Sequence, residues 1–240
     1  VMAVSIDTVY QKVLALANKE QRGYITPQEF NLFADQAQLE IFHNYFREIT
    51  RAQFDQTKTD DYVDSVDMLK EKMGVHRKVG LDALTLKSGS TTTYILPADL
   101  YAVEDIQCVY ATGEVSIANE ISYKDRINIV NNKLLHPSKL RPHFSRGNEN
   151  TIIIEPNPVA STFISYFKTP TTQKWTYVVI NNKALYNASA NDAQNFTLHE
   201  SEENNLIIRI LELSGITLKD TELNQIAMRD KLNTKAEKRS

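Results

Sequence analysis

The spacing of apolar and polar positions divides the chain into helical ends and a middle of shorter period. Ile6, Val9, Tyr10, Val13, Leu14 and Ala17 recur at helical spacing behind Ser5 or Asp7 as N-cap, which predicts a first helix. Gly23 breaks the pattern. Thr26, Pro27 and Glu29 then fall at the N-cap, first and third positions of a second helix. This is a capping box, in which the threonine hydroxyl and the glutamate carboxylate serve each other's backbone N–H groups. Ile25 and Phe30 flank it as a hydrophobic staple, and Phe30, Phe33, Ala34, Ala37, Ile41, Phe42 and Tyr45 continue as one buried face. A third helix is predicted from about Asp60 to Met73, with Tyr62, Val66, Leu69 and Met73 on one side and Gly74 as its stop. Its other face is acidic: Asp60, Asp61, Asp64 and Asp67.

From about Leu81 the period shortens. Tyr94 to Leu96 reads as a strand ended by Pro97, and Val103 to Tyr110 as another, closed by a turn at Thr112 and Gly113 so that Glu114 to Ile121 pairs back. Tyr123 to Val130 stays open between a short helix and a strand. Lys133 to Asn150, with Pro137, Pro142 and Gly147, is expected to be an irregular loop. Thr151 to Glu155 and Ser161 to Phe167 are the clearest strands, and Pro156 and Pro158 between them suit a hairpin-like connection. Tyr177 to Ile180 is a further strand candidate, and Asn181 to Asn195 reads as surface loop. Helix then returns, with Ser201 as N-cap, Leu206, Ile207, Ile210, Leu211 and Ser214 as its face, and Gly215 as terminator. Asp220 caps a last helix bearing Leu223, Ile226 and Ala227. Beyond Leu232 the pattern stops in a basic tail. The expected fold class is α+β: N- and C-terminal helices forming a bundle (1–80 and 199–240) around a central antiparallel β-rich region (81–198).

Composition narrows the function. A 240-residue chain that is 42% hydrophobic and 24% charged can bury a substantial core. A net charge of -3 gives no global field for nucleic acid or an anionic membrane, so any contact with DNA must be local. One cysteine, Cys108, excludes an intramolecular disulfide and a cysteine-rich zinc site. With no apolar run near the length of a membrane span and no signal-peptide pattern, we expect a soluble chain with no membrane partner, made and used without export.

Motifs of chemistry are sparse. The phosphate-cradling, dinucleotide, serine-elbow and zinc-helix signatures are absent, which gives no catalytic, cofactor-binding or metal residue to nominate. We expect no enzyme and no cofactor. His136 and His143 are the closest histidines and have no third ligand near them in sequence. Cys108 alternates with apolar residues and reads as a small core side chain, its thiol silenced by burial. Asp60 to Asp67 lacks the glycine and terminal glutamate of a calcium loop and reads as a solvated, partner-facing or channel-facing side. Lys139, Arg141 and Arg146 around Phe144 are candidates for an acidic or phosphate partner. Trp175 is a core plug under the β region or an interface anchor, the core reading being preferred.

Four segments, Ala17 to Phe46, Tyr94 to Ile106, Glu149 to Trp175 and Phe196 to Ala227, taken in order over most of the chain, resemble the head-to-tail connector, or ring, proteins of short-tailed and crAss-like bacteriophages. The resemblance implies a helical bundle carrying a β domain. Copies would assemble into a homo-oligomeric ring, typically a dodecamer, beneath the portal protein and in contact with adjacent tail or ring proteins. DNA would pass through its channel without sequence-specific binding. The protein would then reside in the virion connector or tail, after assembly in the host bacterial cytoplasm. Asp60, Asp61, Asp64 and Asp67 would suit the channel, because attraction to phosphate comes from Lys and Arg. A distal tail tube or tapering protein is the alternative within this class. A nucleic-acid-binding packaging factor, using the loop from Lys139 to Arg146 and the basic tail, is the alternative outside it.

The C-terminal segment carries a short apolar stripe, Leu223 and Ile226, and a tail with Lys231, Lys235, Lys238 and Arg239, which together suit docking on an acidic, grooved neighbour. Deleting residues 231–240 is expected to leave the folded domain intact and to weaken incorporation into a connector, more so at high ionic strength. Assembly of the truncated chain into particles at the parental level would refute this.

Overall fold

The computed structural model describes residues 4–19, 25–54, 60–157, 159–181 and 183–215. Three helices come first: α1 (Ile6–Lys19), α2 (Pro27–Phe54) and α3 (Asp60–Gly74). A β-rich stretch follows: β1 (Arg77–Ala83), β2 (Thr85–Leu86), β3 (Thr93–Ile95), β4 (Leu100–Val109), β5 (Val115–Ile117), β6 (Asn119–Glu120), α4 (Tyr123–Asn131), β7 (His143–Arg146), β8 (Thr151–Glu155) and β9 (Ser161–Lys168). The chain then returns through β10 (Tyr177–Ile180), β11 (Lys183–Tyr186), a 3-10 turn (Glu200–Glu202) and α5 (Glu203–Leu213). The class is α+β with antiparallel sheets. Two compact units result, one from residues 1–75 with 170–240 and one from 76–169. Residues 170–198, read with the β-rich middle from sequence, pack into the first unit.

In the first unit the capping box forms at the start of α2. The Glu29 N–H donates to Thr26 Oγ1 at 3.3 Å, and the Thr26 N–H donates to Glu29 Oε2 at 3.0 Å. Ile25 and Phe30 are buried beside it. Phe30 meets the Tyr10 ring edge-on at 4.8 Å, and Tyr10 meets Trp175 at 4.1 Å. Trp175 is 1% exposed, so it is a core residue of this unit and does not lie under the β-rich region. Its Nε1–H donates to Asp7 Oδ1 at 3.0 Å, its backbone N–H donates to Asn31 Oδ1 at 2.8 Å, and the Asn31 amide donates to its carbonyl at 3.2 Å. Two turns along α2, the buried Gln38 donates to the Thr171 carbonyl and accepts from the Thr197 N–H, both at 3.0 Å.

Helix α5 packs against α1 and α2 through Leu206, Ile207, Ile210 and Leu211, all buried. Its start differs from expectation. His199, not Ser201, is the cap: its ring accepts from the Ser201 N–H at 3.3 Å and opens the 3-10 turn that leads into the helix. Glu202, buried in that turn, is neutralised by Lys72 at 2.6 Å. Burial and the Glu202 carboxylate push the Tyr45 phenol up. Gly215 takes a φ of 75°, the left-handed conformation its position demands. Within the expected surface loop 181–195, β11 pairs with β10, Asn181 making the turn at φ 50°. Gly23 and the helix expected from Asp220 lie outside the described residues.

The second unit holds two sheets around one core. One runs β1-β9-β4-β5 and the other β2-β3-β8-β7-β6, all pairs antiparallel except β6 with β7. At both corners the chain passes from the edge of one sheet to the edge of the other, at Leu84 between β1 and β2 and at Ala118 between β5 and β6, and both residues are buried. Ala118 donates back to Ile106 while Asn119 donates across to Pro142, so one extended segment serves both sheets. A strand that switches sheets is how such corners are made. Tyr94, Ile106, Cys108, Phe144, Ile152, Ile154, Ile164 and Tyr166 fill the space between.

Two expectations change here. Thr151 to Glu155 and Ser161 to Phe167 are strands, but β8 and β9 lie in different sheets, so the proline-containing link is a crossing and not a hairpin. The expected loop 133–150 contains β7, because Phe144 and Ser145 bury against β8. Tyr123 to Val130 resolves to helix, capped by Ser122, whose hydroxyl accepts from the Lys124 N–H at 3.2 Å.

Replacing Thr26 with alanine removes the acceptor for Glu29 and is expected to cost about 1 kcal/mol with the fold retained. Denaturant titration reads this directly, and an unchanged midpoint would show that the cap contributes nothing.

Candidate functional site

A candidate interaction surface, with exposed apolar side chains beside cations, lies on the second unit between Val115 and Arg146. It begins at β5. Ser116 faces its partner Cys108, which is buried, so alternation turns Val115 and Ile117 outward, where both stay about 60% exposed. Helix α4 buries none of its residues and leaves Tyr123 and Ile127 in solvent. After it, Asn132 turns the chain by accepting from the Leu134 N–H at 2.9 Å. Ser138 to Arg141 is a tight turn closed by the Arg141 N–H on the Ser138 carbonyl at 2.9 Å. Leu134 is 94% exposed, Leu135 more than half, and Leu140 75%.

Charge is distributed over this segment in two ways. Some cations are already engaged. Lys139 donates to Thr112 Oγ1 at 3.2 Å and stands 3.7 Å from Glu114, fastening the 138–141 turn to the β4–β5 turn. Arg126 pairs with Glu155 at 2.7 Å, and Arg146 with Glu120 at 2.8 Å. The two exposed pairs, of Lys139 and of Arg146, contribute roughly 0–1 kcal/mol each, so they orient the chain more than they stabilise it, whereas Arg126 with Glu155 is partly buried. Among the described residues Lys124, Lys133 and Arg141 form no ion pair. Residues 121–147 thus carry six basic side chains against one acidic, in a chain whose net charge is -3.

Of the residues nominated from sequence, Lys139, Arg141 and Arg146 share this segment, Arg141 being the one without an ion pair. Trp175 is buried in the first unit. Asp60, Asp61 and Asp64 fall in the first turns of α3, and Asp67, further along it, is exposed and paired with Lys70 at 2.9 Å. Leu223, Ile226, Lys231, Lys235, Lys238 and Arg239 lie outside the described residues. The leucines 134, 135 and 140 escaped sequence analysis. Their signal was three large apolar residues in a polar, proline-containing stretch with no period to bury them.

Reactive groups in the second unit are placed as core. Burial pushes the Cys108 thiol up to about 11, where it is a thiol and not a nucleophile at neutral pH. Among the described residues no group of three His, Cys, Asp or Glu side chains is placed to hold a metal ion. No helix among them is long and apolar enough to cross a membrane. Comparison with protein-family models and with curated proteins returned no match.

His76 gives a pH-dependent signature. It is fully buried, and burial, then the Lys168 ammonium, lowers its imidazole from 6.5 to about 4. The fold therefore holds the neutral ring, so the stability this confers is complete above the unfolded value and is lost as pH falls toward the folded one. Between about pH 7 and pH 4, denaturant unfolding of the parent is expected to lose up to about 3 kcal/mol more than that of a His76→Gln variant. Parallel profiles for the two would remove His76 as the cause.

Proposed function

We propose that this chain is a structural virion protein, a ring of the head-to-tail connector of a short-tailed or crAss-like bacteriophage, seated below the portal. The observation that carries this reading is the resemblance along four ordered segments, joined to an architecture in which, among the described residues, those up to 75 and those from 170 on form one unit and a β-rich unit is inserted between them. In this reading the N- and C-terminal helices are the bundle of the ring, and the β-rich unit projects contacts toward neighbours. A heterologous interface closes into a ring when its rotation closes, and exposed apolar patches beyond what a monomer needs supply such interfaces. In this reading the four aspartates of α3, Asp60, Asp61, Asp64 and Asp67, suit a channel wall, since carboxylates do not hold phosphate, and Lys70 is already paired with Asp67. The work is mechanical, as passage and platform, and calls for no cofactor. The virion is its place, and the bacterial cytoplasm its place of assembly.

A nucleic-acid-binding packaging factor is the second reading, favoured by the excess of cations in residues 121–147. The two differ in what they bind. Electron microscopy of the purified protein with its portal is expected to show rings with a central channel stacked on the portal. A protein that forms no ring with the portal and binds free duplex DNA with steep salt dependence would replace the first reading by the second.

A further inference from the structure

We infer that the segment from Val115 to Arg141 is the surface on which the second unit receives a second copy of this chain. The inference rests on the connector reading for its setting, and on two independent observations for its content. The first is exposed apolar area that folding does not use. Leu134 and Leu140 stand 94% and 75% exposed, at positions held in place by local bonds: the Asn132 side chain on the Leu134 N–H, the closed 138–141 turn, and the Lys139 tether to Thr112 and Glu114. These leucines are thus presented on a fixed frame. Val115 and Ile117 add outward apolar faces on β5, and the Lys139 tether fixes the 138–141 turn to the turn that opens that strand.

The second observation is charge. Of the six cations in 121–147, Arg126, Lys139 and Arg146 are paired with Glu155, Glu114 and Glu120, which leaves Lys124, Lys133 and Arg141 with Asp125 as the one carboxylate of that stretch, in a chain whose net charge is -3. A head-to-tail contact would set these exposed leucines, and the three cations that form no ion pair among the described residues, Lys124, Lys133 and Arg141, against a chain that is net acidic overall. Duplex DNA fits less well. Phosphate would engage the cations but leave the leucines wet, because backbone contacts to DNA are polar. An apolar centre within a charged rim is instead the usual anatomy of a protein interface.

Sedimentation velocity of the full chain, over a range of protein and salt concentrations, tests this with two variants. Leu134→Asp with Leu140→Asp is expected to leave the circular dichroism and melting of the parent unchanged, since both side chains are exposed, and to weaken self-association about tenfold or more. Lys133→Glu with Arg141→Glu is expected to weaken it at low salt and to flatten its salt dependence. The inference is overturned by a parent that stays monomeric at every concentration. It is equally overturned by variants that associate like the parent, or by a monomeric parent whose binding to duplex DNA or to phosphatidylserine vesicles is lost in the variants. Rings seen with the portal and undiminished by either variant would sink this surface while leaving the connector reading in place. Self-association sensitive to Leu134 without any ring would do the opposite.

Discussion

The first unit depends on how the chain that returns at Pro170 is received. Before β10 that segment has one isolated backbone bridge, Lys174 with Gln194, so its other buried backbone donors and acceptors need side-chain partners. Asn31 and Gln38 provide them. They lie seven residues apart on α2, two turns and therefore on one face, and between them bond the backbone of Thr171, Trp175 and Thr197. The contact joins positions 144 residues apart at Asn31 and Trp175. Asp7 then fixes the indole from α1. Once the tryptophan is seated, Tyr177 and Tyr186, opposite each other at the base of the β10–β11 hairpin, stack on it at 5.7 and 5.8 Å. A large buried aromatic of this kind is worth about 3–5 kcal/mol against alanine. Removing one of the amides would leave buried backbone groups unsatisfied, a cost of roughly 1–3 kcal/mol each.

That arrangement explains which parts of the fold were legible in the sequence. The start of α2 was, because a capping box is a local device: Thr26, Pro27 and Glu29 need only one another. The period of α1 and of α5 was as well, their apolar residues lying on the face that is buried. Asn31 and Gln38 were not. A polar residue on a helix reads as a solvated face unless something distant needs it, and what needed them was more than 130 residues away. Trp175 was legible as a core candidate but not as to which core, since membership of a unit is a long-range fact.

The β-rich unit shows the same division. Runs of β-branched residues located β8 and β9, yet pairing is set by register across the molecule, and Glu155 to Ser161 crosses between sheets where local reasoning preferred a hairpin. β7 was hidden because the prolines at 137 and 142 stop just before it and its burial comes from Ile152 and Ile154 on β8. The strand expected from Glu114 to Ile121 exists but is shared. Val115 to Ile117 belongs to one sheet and Asn119 to Glu120 to the other, with Ala118 small enough to turn the corner between them.

Of the surface between Val115 and Arg141, the cations were legible and the leucines were not, and the reason bears on how such a surface persists. Basic residues in a loop advertise themselves by composition, whereas an exposed leucine is visible only once the fold shows that nothing covers it. Leu134 and Leu140 contribute almost nothing to the folding of an isolated chain, because burial is what makes a leucine stabilising. The second unit is held elsewhere, by the core around Ile106, Ile154 and Tyr166 and by the corners at Leu84 and Ala118 that join the two sheets. Stability and surface are thereby separated: the frame tolerates change at the leucines, and change at the leucines leaves the frame intact. In the reading proposed above, what Leu134 and Leu140 serve is contact with a second copy of the chain, the use that an exposed apolar surface has when folding makes none of it.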